Sequence, residues 1–144
     1  IVRYNGNEIF SNKRLSKSKA ALAIFQAYLM EKPQTTLEEM RQAFPCDKLN
    51  QYYSGRYYQD LFYPSCPDTV DEGGYEILQY TAGKHIGKEA RAKWDFYLDA
   101  DQLLPIEGGS KRAMCVKFWR KRDFESLAEW VSQNYKFIDV QKCL

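Results

Sequence analysis

Pro33 and Pro45 bracket the second half of residues 16–44, the stretch of this sequence that leaves the fewest folding options open. Ahead of Pro33, the residues Ala21, Ile24, Phe25, Tyr28 and Leu29 recur at the i, i+3, i+4, i+7 and i+8 positions of one helix face. Between the prolines, Thr36-Leu-Glu-Glu39 predicts a capping box, in which the threonine hydroxyl and the Glu39 carboxylate each take up an unpaired amide of the first turn. Leu37, Met40 and Phe44 then share a face, and Pro45 stops the helix because the residue before a proline is pushed out of the helical region. Two helices joined by about four residues form a helical hairpin or a helix-turn-helix.

Strand patterns occupy both ends. Asn5-Gly6 is a hairpin turn signal because both residues tolerate positive φ. Residues 47–63 place Tyr53, Tyr57 and Leu61 beside Tyr58 and Phe62 at helical spacing, which predicts a short helix, a break at Ser54-Gly55 and a second helical or irregular piece ended by Pro64. Residues 65–74 form an acidic loop, 75–80 a strand and 81–91 a polar loop. Residues 94–98 alternate, with Trp94, Phe96 and Leu98 on one face and Tyr97 on the other. After the turn Glu107-Gly-Gly-Ser110, residues 113–119 return as a strand with Met114, Val116 and Phe118 toward the core and Cys115, Lys117 and Trp119 outward. Asp123 is placed to cap a last helix carrying Phe124, Leu127, Ala128, Val131 and Tyr135 on one face, and residues 137–140 add an edge strand. The expected class is α+β: a helical hairpin or helix-turn-helix, then an antiparallel meander with one amphipathic C-terminal helix across it. The hairpin around Gly108-Gly109 would be the wing of a winged-helix arrangement.

A length of 144 residues with 44% apolar side chains fills one core, so residues 1–144 are expected to be a single domain. Ile1 stands where a strand pattern is already under way, which suggests a domain cut from a longer polypeptide. The net charge of only +2 excludes binding nucleic acid over the whole surface, so any polyanion site must be local. Cys46, Cys66, Cys115 and Cys143 form no CxxC pair and indicate neither a zinc site nor a disulfide scaffold, which suggests a reduced, cytoplasmic protein. No apolar run reaches the roughly 20 residues that a membrane span needs.

Two blocks of this pattern resemble a largely uncharacterised bacterial module found at the C-terminal ends of larger proteins, some of them related to restriction or defence. The first block is Asn5-Gly6, the basic and apolar helix of residues 13–29, the Thr36-x-x-Glu39 opening and Phe44-Pro45. The second is the strand running into Trp119-x-Lys121-x-Asp123-Phe-Glu-x-Leu127, with Tyr135 beyond the helix end. Together they cover about half the chain. Residues 47–91 are longer than in that module, and Phe118 stands where its pattern has Gln. The resemblance implies an accessory domain that helps a larger protein find DNA or a partner.

The densest functional pattern is residues 111–122, where Lys111, Arg112, Lys117, Arg120, Lys121 and Arg122 are joined by no acid and by one Trp on the outward parity, Trp119. Lys13, Arg14, Lys17 and Lys19 form a second cluster at the start of the first helix, where the helix dipole disfavours cations by a few tenths of a kcal/mol. Facing one way, these groups would bind duplex DNA or another polyanion through its phosphates, with Trp119 stacking or packing. The plainer readings are charges that protect an edge strand for residues 111–122 and a solvated surface for the cluster at Lys13, Arg14, Lys17 and Lys19. A different class of function is protein interaction or assembly, with the parent chain or another partner, through the tyrosine-rich residues 52–63. Catalysis has the poorest support. His85 stands alone in a glycine-rich loop, and a metal-dependent nuclease built on Asp99, Asp101, Glu107 and Lys117 meets Cys115 where its second carboxylate should be. No cofactor, no metal and no membrane is implied.

Overall fold

Two antiparallel sheets of three strands each divide the described part of the chain. The computed structural model describes residues 1–11, 17–52, 54, 60–65, 96–97 and 99–141. In order these form β1 (Val2–Tyr4), β2 (Asn7–Phe10), α1 (Lys17–Glu31), α2 (Leu37–Ala43), α3 (Cys46–Leu49), β3 (Phe62–Ser65), β4 (Leu104–Ile106), β5 (Lys111–Cys115), α4 (Lys121–Asn134) and β6 (Ile138–Val140). The class is α+β. The expected strand at 75–80, the loops on either side of it and Trp94 lie outside the described residues.

Asn5 and Gly6 take φ of 49° and 82°, the two positive values that a tight hairpin between right-twisted strands requires. β1 then pairs on its other side with β6, so the last strand forms an edge of the first sheet, order β2-β1-β6. α1 lies against β1, β2 and β6 of this sheet, against β4 of the second, and beside α4. With neighbours on several sides, it buries Leu22, Ala23 and Ala27 as well as the predicted face. Phe25 is the hub of the core, with ring centroids 5.0 Å from Phe44, 4.8 Å from Phe62 and 6.1 Å from Trp119.

The capping box forms as its sequence predicts: the Glu39 amide donates to Thr36 Oγ1 and the Thr36 amide to Glu39 Oε1, each at 3.1 Å. The Ala43 carbonyl near the C-terminal end of α2 accepts from Trp130 Nε1 at 2.8 Å and from the Tyr135 hydroxyl at 2.7 Å. Those two bonds fix α4 against the end of α2.

The second sheet has the order β3-β5-β4. Its middle strand is the last of the three in sequence, which is not the order of a meander. β5 is therefore paired on both sides, and Lys111 and Arg112 are not guarding an edge. Phe62, read as helical from the sequence, stands in β3, and Pro64 is accommodated because β3 is the outermost of the described strands. The turn between β4 and β5 carries Glu107, Gly108 and Gly109 at φ of 51°, 70° and 88°. It does not stand clear of the body: the Glu107 amide donates to Thr35 O at 2.9 Å and the Gly108 amide to Pro33 O at 2.7 Å, so the tip is docked on the α1–α2 connection.

Candidate nucleic-acid interface

β5 ends at Cys115, and the chain keeps contact with the body for one more step. Val116 bridges Phe96, its amide donates to Leu61 O at 3.0 Å, and the Tyr97 amide donates to Cys115 O at 3.1 Å. Among the described residues no strand partner enforces alternation beyond that point. Lys117 is exposed, and its ammonium sits 5.5 Å from the centroid of the Tyr97 ring. Tyr97, expected on an outer face, is only 3% exposed. Burial, with the neighbouring Cys115 adding to it, pushes its hydroxyl pKa up to about 12, and a hydrogen bond with Ser18 works the other way. Ser18 lies between Lys17 and Lys19 in the first turn of α1. One buried ring thus has Lys117 over it and Ser18 of the first turn of α1 acting on its hydroxyl.

The parity expected for residues 118 and 119 is reversed. Phe118 is 46% exposed and Trp119 only 4%, because the strand ends before them and Trp119 turns in toward Phe25. Trp119 is thus a core group, and the stacking role expected for it has no accessible ring. Phe118 has its carbonyl held by Asn50 Nδ2 at 3.0 Å and its ring 4.9 Å from the half-buried Tyr52.

Asp123 is not the helix cap. α4 begins at Lys121, which puts Asp123 in the third position, where its 2% exposed carboxylate accepts from Arg120 Nε at 2.7 Å and Nη2 at 3.2 Å and from the Gln51 amide at 3.1 Å. This paired hydrogen bond raises the Arg120 pKa and takes up most of its charge locally. Its guanidinium also lies 5.5 Å from the centroid of Tyr52. Arg120 is a support for the surface more than a contact on it.

Lys121 and Arg122 open α4 with exposed side chains, and α1 opens with Lys17 and Lys19 and no acid in its first turn. Both helices carry cations at the end where the dipole disfavours them. Ser18, which acts on Tyr97, and Phe25, which meets Trp119, stand about 10 Å apart along the axis of α1. That length of duplex carries about six phosphates.

The other end of β5 is not part of this surface. Arg112 lies about 17 Å from Lys117 at the usual strand rise, and its Nη1 donates to Ala100 O at 3.2 Å. Lys111 pairs with Glu107 at 3.3 Å. Lys13 and Arg14 lie outside the described residues. Glu107 and Lys117 sit beyond opposite ends of β5, so the nuclease constellation is not gathered into one place. Among the described residues no three His, Cys, Asp or Glu side chains are grouped to hold a metal, and no helix is long and apolar enough to cross a membrane.

Sequence reasoning missed Phe118, Tyr97 and the Arg120–Asp123 pair. Each of them depends on contacts between residues distant in the chain, for which the local pattern carried no signal. Comparison with protein-family models, with curated proteins and with solved structures gives no match, so function has to be read from these residues.

Proposed function

We propose that this domain is a non-catalytic accessory module that contributes electrostatic nucleic-acid binding to a larger bacterial protein. The observation that supports the reading is Tyr97, which has the Lys117 ammonium over its ring and is acted on at its hydroxyl by Ser18, the residue between Lys17 and Lys19. Lys17, Lys19, Lys117, Lys121 and Arg122 are its contacts, with Lys13 and Arg14 preceding them in sequence. Arg120 and Trp119 hold it in shape. The docked β4–β5 tip and the seven-residue α2 lend no support to a wing or a recognition helix, so phosphate contact rather than groove reading is the mode that fits.

A titration of labelled duplex and single-stranded DNA with the domain at low and at moderate salt tests this. Binding at low salt that weakens steeply as salt rises supports the reading, and no measurable binding of either a duplex or a single strand at low salt eliminates it.

A second reading, a protein-interaction domain, is favoured by the exposed Phe118 beside Tyr52. Of the stretch expected to present that surface, Leu61, Phe62 and Tyr63 are fully buried, while Tyr53, Tyr57 and Tyr58 lie outside the described residues. Sedimentation of the domain over a range of concentrations checks the self-assembling form of this reading.

A further inference from the structure

We infer that the nucleic acid taken by this surface is single-stranded, with unpaired bases stacking on the Phe118 and Tyr52 rings while Lys117, Lys121 and Arg122 neutralise the adjacent phosphates. The inference rests on the proposed function and deepens it. Phe118 and Met30 are the two large apolar side chains exposed among the described residues, at 46% and 53%. Phe118 alone of the two stands inside the cation run.

Its backbone and its ring neighbour Tyr52 are both engaged. Asn50, itself fully buried, grips the Phe118 carbonyl, and the Gln51 amide donates to Asp123, whose carboxylate also holds Arg120. Arg120 in turn lies over Tyr52, whose ring meets Phe118 at a tilt of 54°. A surface ring with such supports loses little freedom when a flat ligand settles on it. Within a duplex each base face is covered by its neighbours, so an exposed ring gains contact only with a base that is unpaired. The cations on either side in sequence, Lys117, Lys121 and Arg122, favour a polyanion over an apolar protein partner as the occupant.

The test compares Phe118→Ala, Phe118→Tyr and the unaltered chain, each titrated with labelled oligothymidylate and with a duplex of the same length at one salt concentration. The expected result is tighter binding to the oligothymidylate, weakened roughly tenfold by Phe118→Ala and kept by Phe118→Tyr. Duplex affinity should be unchanged in both variants. Equal losses on both nucleic acids, or no loss on either, overturn the stacking role and leave electrostatic binding standing. Binding of neither nucleic acid by the unaltered chain removes the proposed function as well. A concentration-dependent assembly that Phe118→Ala abolishes, with oligothymidylate affinity unaffected, assigns the ring to a protein partner and also overturns the inference. The side chain is nearly half exposed, so an unchanged thermal midpoint confirms that the variants are folded.

Discussion

The Lys117 ammonium lies over the ring of Tyr97, and Ser18 in the first turn of α1 lowers the pKa of that ring's hydroxyl against the rise that burial causes. A residue that the alternation of its own segment placed outside is thereby the joint between two parts of the chain about a hundred positions apart. Removing the hydroxyl and removing the ring should have distinct effects. Tyr97→Phe gives up one hydrogen bond and costs about 1 kcal/mol. Tyr97→Ala also opens a cavity and costs about 3 to 4 kcal/mol. Urea unfolding of the two variants against the unaltered chain measures both, and equal costs would show that the ring is not packed as described.

The buried acids of the core should make the protein sensitive to alkali. Burial pushes the Cys46 thiol and the Tyr97 hydroxyl up to about 12 and also raises Cys115, Tyr28 and Tyr135. Each folded-state pKa lies above its unfolded value, so the native chain holds these protons more tightly. Stability is then fully present below about pH 8, where the thiols of the unfolded chain start to ionise, and falls as pH rises toward 12. Unfolding midpoints measured from neutral pH upward should decline over that window. A flat profile would contradict the burial of these groups. At neutral pH the same two cysteines, which form no disulfide, should resist a thiol reagent until the protein is denatured.

The Arg120–Asp123 pair is expected to matter for stability more than most surface ion pairs, because the carboxylate is almost wholly buried and also serves the Gln51 amide. Asp123→Ala leaves that amide without its acceptor and Arg120 without its partner, and should cost about 2 to 3 kcal/mol. Asp123→Asn keeps an oxygen for Gln51 and should cost about half as much. Thermal or urea unfolding distinguishes the two, and an Asp123→Ala variant as stable as the parent would sink this account of the α3–α4 contact.

Much of the fold was legible because local signals there agree with the tertiary outcome. Thr36 and Glu39 form their capping box, Asn5 and Gly6 their turn, and Leu127 and Val131 their buried helix face. The signals failed where a partner distant in sequence decides. Phe62 has helical spacing with its neighbours, yet pairing with Cys115 makes it a strand residue. The reversal at Phe118 and Trp119 follows from the point where β5 loses its partners, which no period-two pattern records. Asp123 looked like a cap because helix starts are usually marked by such a residue, but here the cap is Arg120, three positions earlier, and the carboxylate is committed to Arg120 and Gln51. The cations of the surface were readable one by one. That Lys117 sits over Tyr97 while Lys111 and Arg112 are engaged by Glu107 and Ala100 was not, because those contacts depend on the tertiary fold.

That contrast gives the most direct measurement of the central claim. Two variants are titrated against labelled nucleic acid over a range of salt: one with Lys117, Lys121 and Arg122 replaced by Ser, the other with Lys111 and Arg112 replaced by Ser. Each phosphate contact removed lowers the slope of log affinity against log salt by about 0.9 on a duplex. The triple variant should therefore lose about 2.7 from the slope and most of its low-salt affinity, while the double variant keeps both. Equal losses in the two variants, or a larger loss in the double one, would contradict a single positive surface assembled around Lys117.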